Sequence, residues 1–340
     1  MSERLAHVSY VLSKQEQVAH SGADYGFISE PFLDPWNLAI FGAAIALVGA
    51  LVFAGYKVPF MRDRVRFFRG RARSYQEFIP WILRFSLGVA FIGAGSQQAL
   101  ISPAVPDQPA FATLQLVVGF LLIAGLALTP ATLCALALSV GALILHPELL
   151  DNLEVITALI AVFLLGQAKP GVDDLIGIPM ITFSDKIRRF VPFILRLGLG
   201  VSLVLMAVAD KLMNPHLFGA VIEEYGFTHY IPLTTGMWVA SATLLEIVLG
   251  LALLLGIQTR IISVVTFLVL TMSFFFFGED VYAHVTIFGT LFERSLDPAK
   301  RSQLGAHYTS QTDIETLVEP VLMAPLRREW EEVKTKALAK

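Results

Sequence analysis

Long apolar runs recur along most of this chain and constrain its fold more than any other feature. One of them, residues 242–256, has the sequence ATLLEIVLGLALLLG and contains a single ionisable residue, Glu246. A helix needs about 20 mostly apolar residues to cross a hydrocarbon core about 30 Å thick. The composition agrees, because 55% of the residues are hydrophobic and only 16% are charged, whereas soluble domains have about 25% charged residues. The chain is therefore predicted to be an all-α, polytopic integral membrane protein.

The hydropathy pattern predicts about nine transmembrane helices. They are placed at 37–55, 81–101, 109–127, 131–147, 152–167, 191–211, 236–256, 259–277 and 281–294. The last segment is short, and a partly re-entrant segment is also compatible with it. Basic loops remain in the cytoplasm, so the arginine-rich segment 57–79 and the basic loop 169–190 define the inner face. We expect a cell (plasma) membrane protein with its N-terminus outside and its C-terminal tail in the cytoplasm.

An internal repeat organises these helices. Residues 78–89 (FIPWILRFSLGV) match residues 190–201 (FVPFILRLGLGV), and residues 114–125 (LQLVVGFLLIAG) match residues 245–256 (LEIVLGLALLLG). Both copies run in the same direction, which predicts two parallel four-helix units. The predicted organisation is an external N-terminal segment 1–36, a leading transmembrane helix 37–56, a basic cytoplasmic segment 57–79, a first, degenerate unit 80–168, a cytoplasmic linker 169–190, a second unit 191–294 and a cytoplasmic tail 295–340.

The second copy carries most of the charge within the predicted membrane region. Three residues of the first copy are replaced by ionisable ones at the matched positions: Gln98 by Asp210, Ala99 by Lys211 and Gln115 by Glu246. A charged side chain at the centre of a transmembrane helix costs about 2.5–3.5 kcal/mol and usually marks a function or a pairing. Glu246 lies about 15 Å into its span at 1.5 Å per residue, so it is expected near the membrane midplane.

Two interpretations of Glu246 remain open at this point. In the first, Glu246 forms a structural ion pair with Arg196. In the second, Glu246 exchanges protons beside a substrate or quinone pocket, because a desolvated carboxyl group can titrate near neutral pH. Gly250, on the same helix face, would let a neighbouring helix approach closely. The matching arginine of the first copy, Arg84, is expected to extend to the inner lipid headgroups.

The remaining charged residues of the second unit are predicted to line an outer vestibule: Asp210, Lys211, Asp280 and His284. No metal site is predicted, because the histidines and acids of the external loop near 216–235 have irregular spacing. The single cysteine, Cys134, cannot hold an iron–sulfur cluster. The histidines do not support a bis-His haem within one unit either.

The second unit resembles the DoxX/DoxD family of small four-helix membrane proteins. The resemblance rests on L-R-x-x-L-G at 195–200, D-K-x-x-x-P at 210–215, E-x-x-x-G-x-x-x-x-x-G at 246–256 and the span that contains His284. It covers about 191–294 and, less closely, 80–168. The family is associated with membrane redox chemistry, notably the small subunit of a thiosulfate:quinone oxidoreductase.

Two functions are therefore expected as alternatives. In one, the chain is a quinone-linked oxidoreductase subunit in which Glu246, positioned by Arg196, exchanges protons with a quinone, and a partner or bound cofactor supplies the redox centre. In the other, it is a non-enzymatic membrane scaffold or a small-solute carrier. Membrane lipids and a protein of a membrane complex are the expected partners. The basic segment 61–77 interleaves arginines with apolar residues, which favours anionic lipid rather than nucleic acid.

Overall fold

The computed structural model describes residues 20, 22–57, 79–166, 170–178, 181–257, 259–277 and 285–291. These residues form helices, turns and loops and contain no strand, which confirms the all-α fold class. They all lie within one compact unit, Met1–Asp297.

The helices follow the predicted apolar segments. The N-terminal part contains α1 (Tyr25–Ser29), a 3-10 turn (Glu30–Leu33) and α2 (Pro35–Lys57). The first half contains α3 (Ile79–Ser96), α4 (Pro109–Ala124), α5 (Leu128–Leu145), a 3-10 turn (Pro147–Asn152) and α6 (Leu153–Leu165). The connection contains α7 (Val172–Ile176) and α8 (Asp185–Arg188). The second half contains α9 (Val191–Met206), a π-helical turn (Ala207–Leu212), α10 (Pro215–Glu224), α11 (Phe227–Tyr230), α12 (Thr235–Leu255) and α13 (Thr259–Phe277).

Four helical stretches of the described part are long and apolar enough to cross a membrane: Ile79–Ser96, Leu128–Leu145, Asp185–Leu212 and Thr235–Leu255. Pro109–Ala124 and Ile261–Thr271 are apolar but shorter. The short helical segment 285–291 falls inside the last predicted span. The chain is a helical membrane protein, and the count of nine crossings stays a prediction.

Pairs of glycines bring helices together in both halves. A Cβ atom added to Gly119 of α4 would lie 2.9 Å from the carbonyl oxygen of Gly88 in α3. A Cβ atom added to Gly250 of α12 would lie 2.8 Å from the carbonyl oxygen of Gly200 in α9. Only glycine lets the two backbones approach this closely, because small residues leave room for the facing helix. The close approach predicted at Gly250 is confirmed.

The same two helices, α4 and α12, end in the same way. Gly125 follows α4 with φ 63° and Gly256 follows α12 with φ 74°, a left-handed conformation that glycine adopts without a steric penalty. An arginine from a facing helix, α3 for Gly125 and α9 for Gly256, lies against each of them. A Cβ atom at Gly125 would overlap the guanidinium of Arg84, and one at Gly256 would overlap that of Arg196.

The N-terminal part packs onto the second half. The side-chain amide of Asn37 in α2 donates hydrogen bonds to the Thr234 hydroxyl and to the Pro31 carbonyl, both at 3.1 Å. Thr234 in turn caps α12, because its hydroxyl accepts from the Met237 N–H. Helix α1 also contacts α10 and α12. The N-terminal part is thus anchored at the start of α12.

The glycine contact of the first half gives a stability prediction. Gly119→Ala would place its methyl group 2.8 Å from Ile92 Cγ1 and against the backbone of Gly88. Overpacking of this kind costs about 1–3 kcal/mol, so the variant should unfold at a lower temperature in detergent. Gly141→Ala on α5 is the control, because a Cβ atom there meets nothing within 4 Å. Equal losses in the two variants would contradict the packing argument.

Candidate functional site

A largely buried ion pair lies in the second half. The Lys211 ammonium nitrogen is 2.8 Å from Oε2 of Glu246, and the two side chains are only 8% and 14% exposed. Lys211 belongs to the π-helical turn after α9, and Glu246 belongs to α12. The ring of Phe218 in α10 has its centroid 4.6 Å from the same nitrogen. The ammonium is therefore held by a carboxylate and by an aromatic ring, a second favourable contact for a cation.

The π-helical turn places this lysine. Such turns are rare insertions in α-helices and are frequent at functional sites. Within Ala207–Leu212 both Asp210 and Lys211 are buried, at 2% and 6% exposure. Asn214 stabilises the turn, because its side-chain amide donates to the Ala209 carbonyl oxygen at 2.7 Å. The turn thus directs two adjacent charged side chains into the protein.

The predicted pairing of Glu246 with Arg196 is wrong. The Arg196 guanidinium lies against Gly256, which is about 15 Å farther along α12 at 1.5 Å per residue. The guanidinium carbon also lies 6.0 Å from the centroid of the Phe193 ring. Lys211, expected in the outer vestibule, is the residue that neutralises Glu246.

Two other members of the predicted vestibule, Asp280 and His284, lie outside the described residues. Asp210, the remaining member, is adjacent to Lys211 and buried. Its Oδ1 atom has no hydrogen-bond partner among the described residues.

The expectation for Arg84 is also wrong. Arg84 is fully buried and donates a hydrogen bond to the Pro170 carbonyl oxygen at 2.6 Å, so it does not extend to lipid headgroups. The carboxylate of Asp173 attracts it electrostatically. Asp173 also accepts hydrogen bonds from the N–H groups of Ala127 and Leu128, at 2.8 and 2.7 Å, at the start of α5. Arg84 therefore fastens the segment after α6 to the first half.

The position of the first half that matches Glu246 has a purely structural set of contacts. Gln115 is fully buried. Its amide donates to the Phe91 carbonyl oxygen at 3.0 Å, and its Oε1 accepts from the Ile101 N–H at 2.9 Å. The neutral amide of Gln115 thus forms its hydrogen bonds with backbone groups, whereas at the matching position of the second half Glu246 forms an ion pair with Lys211.

A second group of buried carboxyls was missed by the sequence reasoning. It lies where the 3-10 turn Pro147–Asn152 and α6 pack against α9. Ser202 donates to Oε2 of Glu154 at 2.6 Å, and the Glu154 N–H donates back to the serine oxygen at 3.2 Å. Asp151 is 6% exposed. Burial raises the pKa of Asp151 well above its usual value, and the carboxyls of Asp210 and Glu154 raise it further.

An exposed histidine–aspartate contact ties the N-terminal part to α10, the helix that carries Phe218. His216 Nε2 is 2.9 Å from Asp24 Oδ2, and the ring of Phe27 lies 4.4 Å from the His216 ring. The Gly22 N–H donates to Asn214 Oδ1 at 2.9 Å. Within the described ranges, no group of three or more His, Cys, Asp or Glu residues is arranged to hold a metal ion.

Comparison with known families agrees with the resemblance of the second half. Residues 191–279 match the DoxX family. The matched region contains Arg196, Asp210, Lys211 and Glu246. Searches among curated proteins and among solved structures each gave no match. The buried ion pair therefore lies in a DoxX-like region.

The ion pair predicts that the effects of substitutions at Lys211 and Glu246 on stability are not additive, which a double-mutant cycle measures. Lys211→Met leaves the Glu246 carboxylate buried without its counter-charge, and breaking a buried pair in this way costs about 3–5 kcal/mol. Adding Glu246→Gln removes the stranded charge, so the double variant should recover most of the loss. Thermal unfolding in detergent measures both. Additive losses in the double variant would show that the two residues do not depend on each other.

The contact between Asp24 and His216 predicts an acid-dependent attachment of the N-terminal part. The hydrogen bond with His216, and then that from the Phe27 N–H, lower the pKa of Asp24 below its ordinary value of 3.8. The carboxylate therefore stabilises the attachment fully above about pH 3.8, and this contribution is lost as the pH falls through the lowered pKa.

Hydrogen exchange of the amides in 22–37 measures that attachment. At neutral pH, these amides should exchange faster in Asp24→Asn than in the wild type. The increase in exchange rate that acid causes in the wild type should be smaller in the variant. Asp107→Asn, an exposed loop variant in the first half, should behave as the wild type. An unchanged acid response in Asp24→Asn would contradict the assignment.

Proposed function

We propose that this chain is the membrane subunit of a quinone-linked redox system of the thiosulfate:quinone oxidoreductase type, with its quinone and proton site at Lys211 and Glu246. The observation that carries the proposal is the ion pair of 2.8 Å, buried within the DoxX-like region. Charges inside a membrane protein are costly and mark functional sites by default. The proposed location is the cell membrane, with the N-terminus outside and the tail in the cytoplasm.

The chemistry of these side chains fits a quinone headgroup. A quinone has two carbonyl oxygens that need hydrogen-bond donors and a flat ring that favours aromatic neighbours. The Lys211 ammonium would donate to a carbonyl oxygen, and the ring of Phe218, 4.6 Å from that ammonium, would provide an apolar wall. Glu246 would give or take the proton. When bound, the quinone supplies two-electron, two-proton chemistry.

We also propose that the two halves are copies of one four-helix unit, of which the second is the active one. The paired glycines of α3 and α4 recur in α9 and α12, and each half packs an arginine against the glycine that ends its second long helix. Only the second half has a charged pair where the first has Gln115. The first unit would then support the second.

A protein partner is part of this proposal. Electrons must reach the quinone from a donor, and the side chains named above offer acid–base groups rather than a redox centre. A partner of the membrane complex would supply the electrons. Membrane lipids would cover the apolar surface, on which Phe120, Ile144 and Val248 are exposed.

A proton-coupled small-solute carrier or a membrane scaffold is the second candidate. The observation that favours a carrier is the group of buried carboxyls between the two halves, since parallel repeats with a polar site between them are common in transporters. In that case Lys211 and Glu246 would bind the solute or hold the helices together.

Quinone content distinguishes these functions. The full chain should be purified in mild detergent, its optical spectrum recorded and its lipids extracted for quinone. The proposal predicts close to one quinone per chain, or saturable binding of a short-chain ubiquinone analogue. A preparation with neither would overturn the proposal and favour the carrier or scaffold.

Substitutions at the ion pair test the assigned roles. Lys211→Met should lower the affinity for the quinone analogue at least about tenfold, the loss expected when a hydrogen bond worth about 1.4 kcal/mol is removed. Glu246→Gln should keep the quinone but slow its turnover by about 10²–10⁴, the usual contribution of a general acid or base. Glu224→Gln, an exposed carboxyl of α10, is the control. Unchanged turnover in Glu246→Gln would remove the proton role.

A further inference from the structure

Each half of the chain packs an arginine against the glycine that ends its second long helix, but the surroundings of the two arginines differ. Arg84 lies against Gly125, and Arg196 lies against Gly256. They are the matched arginines of FIPWILR and FVPFILR in the internal repeat. The first arginine therefore shows which partners a guanidinium at this position requires.

The segment after α6 supplies the partners of the first arginine. Arg84 donates a hydrogen bond to the Pro170 carbonyl oxygen at 2.6 Å, and the Asp173 carboxylate attracts it. The Asp173 N–H also donates to the Gly125 carbonyl oxygen at 2.9 Å, so this segment is fastened beside both the arginine and the glycine. The positive charge of Arg84 is thus compensated within the chain.

Arg196 has no such compensation in the described part of the chain. Its guanidinium forms no hydrogen bond or ion pair there, and its Nε atom is shielded from solvent. It contacts Gly256 and lies 6.0 Å from the centroid of the Phe193 ring. A guanidinium has five N–H donors in a planar fork, and withdrawing a charge from water is costly unless the charge is paired. The second half therefore offers cationic donors to an anion.

The contacts of the last helical segment show how the tail corresponds to the segment after α6. A Cβ atom added to Gly198 of α9 would overlap Thr157 of α6, and one added to Gly289 would overlap Ser86 of α3. Ser86 and Gly198 are matched positions of the repeat. Thr157 and Gly289, which differ by 132 in residue number, are therefore matched as well.

The tail has no acid at the position that matches Asp173. At the same spacing of 132, Asp173 corresponds to Gly305, and Pro170 corresponds to Ser302. The sequence 299–306 is AKRSQLGA, which contains two basic residues and no carboxylate. The repeat thus supplies no counterpart of Asp173 for Arg196, which favours an anion from outside the chain.

The end of α12 at Gly256 is expected at the level of the lipid headgroups. Helix α12 has 21 residues, Thr235–Leu255, and at 1.5 Å per residue it is about 30 Å long, which is the thickness of the hydrocarbon core. Phe193 and Leu197, on the helix of the arginine, are exposed large apolar side chains, as is Leu255 beside the glycine. An anion bound at this surface would therefore have apolar surroundings on one side.

We propose that Arg196 binds the phosphate group of an anionic phospholipid at the Gly256 end of α12. The guanidinium would donate two parallel hydrogen bonds to phosphate oxygens, which is the strong bidentate arrangement. The acyl chains would lie along Phe193 and Leu197. An anionic lipid is preferred to a zwitterionic one, because its headgroup has no cation that the arginine would repel. The site lies about 15 Å along α12 from Glu246 and does not depend on the proposed quinone chemistry.

Native mass spectrometry of the purified full chain, titrated in detergent with phosphatidylglycerol or phosphatidylcholine, tests the site. The wild type should bind its first phosphatidylglycerol at least about tenfold more tightly than phosphatidylcholine. Arg196→Met should lower the phosphatidylglycerol affinity at least about tenfold, the loss expected when charge-assisted hydrogen bonds are removed. Arg196→Lys keeps the charge but loses the planar fork, so its affinity should be intermediate.

Arg189→Met is the matched control. It removes the same charge from an exposed side chain, whose guanidinium carbon lies 5.1 Å from the centroid of the Phe190 ring. Its affinity for the first phosphatidylglycerol should equal that of the wild type. Equal losses in Arg189→Met and Arg196→Met would overturn the proposal, because they would show that only the net charge attracts the lipid.

Three other results would also overturn the proposal. One is an unchanged lipid affinity in Arg196→Met, which is expected if a carboxylate of the tail occupies the guanidinium. Another is displacement of the lipid by inorganic phosphate, which would indicate a site for a soluble anion. The third is a wild type that binds the two lipids equally. If Arg196→Met does not fold, Arg196→Lys and the lipid preference of the wild type still decide. Quinone content is measured separately, so this proposal and the proposed function fail separately.

Discussion

The second half depends on the neutralisation of charge at one point. An isolated carboxylate or ammonium inside a membrane helix is strongly unfavourable, yet Glu246 lies in a helix that is otherwise almost entirely apolar. Lys211 makes this arrangement stable because its ammonium lies 2.8 Å away and is also covered by the ring of Phe218. The π-helical turn, the position of α10 and the close packing of α9 on α12 all serve to hold this pair.

The two halves show what the charged pair adds to a common helical frame. Both halves have glycine-mediated helix contacts and an arginine packed against a terminal glycine. In the first half the buried amide of Gln115 is satisfied by backbone groups, and Arg84 fastens the segment that contains Asp173. The first half therefore uses its polar groups for structure, which supports the proposal that the second half carries the chemistry.

The sequence predicts the positions of the helices well, but it predicts the partners of the charged side chains poorly. Helix positions follow from hydropathy. The close approach of a neighbouring helix at Gly250 follows from the presence of a small residue on the helix face that also carries Glu246. The resemblance to DoxX proteins was correct for residues 191–279. All of these depend on local composition or on short motifs that need no partner to be recognised.

The contacts of the charged side chains could not be predicted from the sequence, because they depend on backbone geometry. Counting along a regular α-helix places Lys211 at the outer end of its span, but the π-helical turn changes the direction of its side chain. The sequence makes Arg196, which precedes Lys211 in the same helical stretch, an equally good partner for Glu246. In the structure the Arg196 guanidinium packs against Gly256 instead. Asp151 was overlooked because a residue in a connecting turn is normally solvated, and here the turn is buried against α9.

The adjacency of Asp210 and Lys211 has the widest consequence. Consecutive residues of a helix point about 100° apart, so one turn can present its two side chains to different neighbours. Lys211 faces Glu246 of α12, while Oδ1 of Asp210 is buried without a hydrogen-bond partner in the described part of the chain. One short backbone segment therefore positions both a lysine paired with Glu246 and a buried aspartate with an unpartnered acceptor oxygen. The geometry of the ion pair therefore depends on the turn Ala207–Leu212, because this turn sets the direction of the Lys211 side chain.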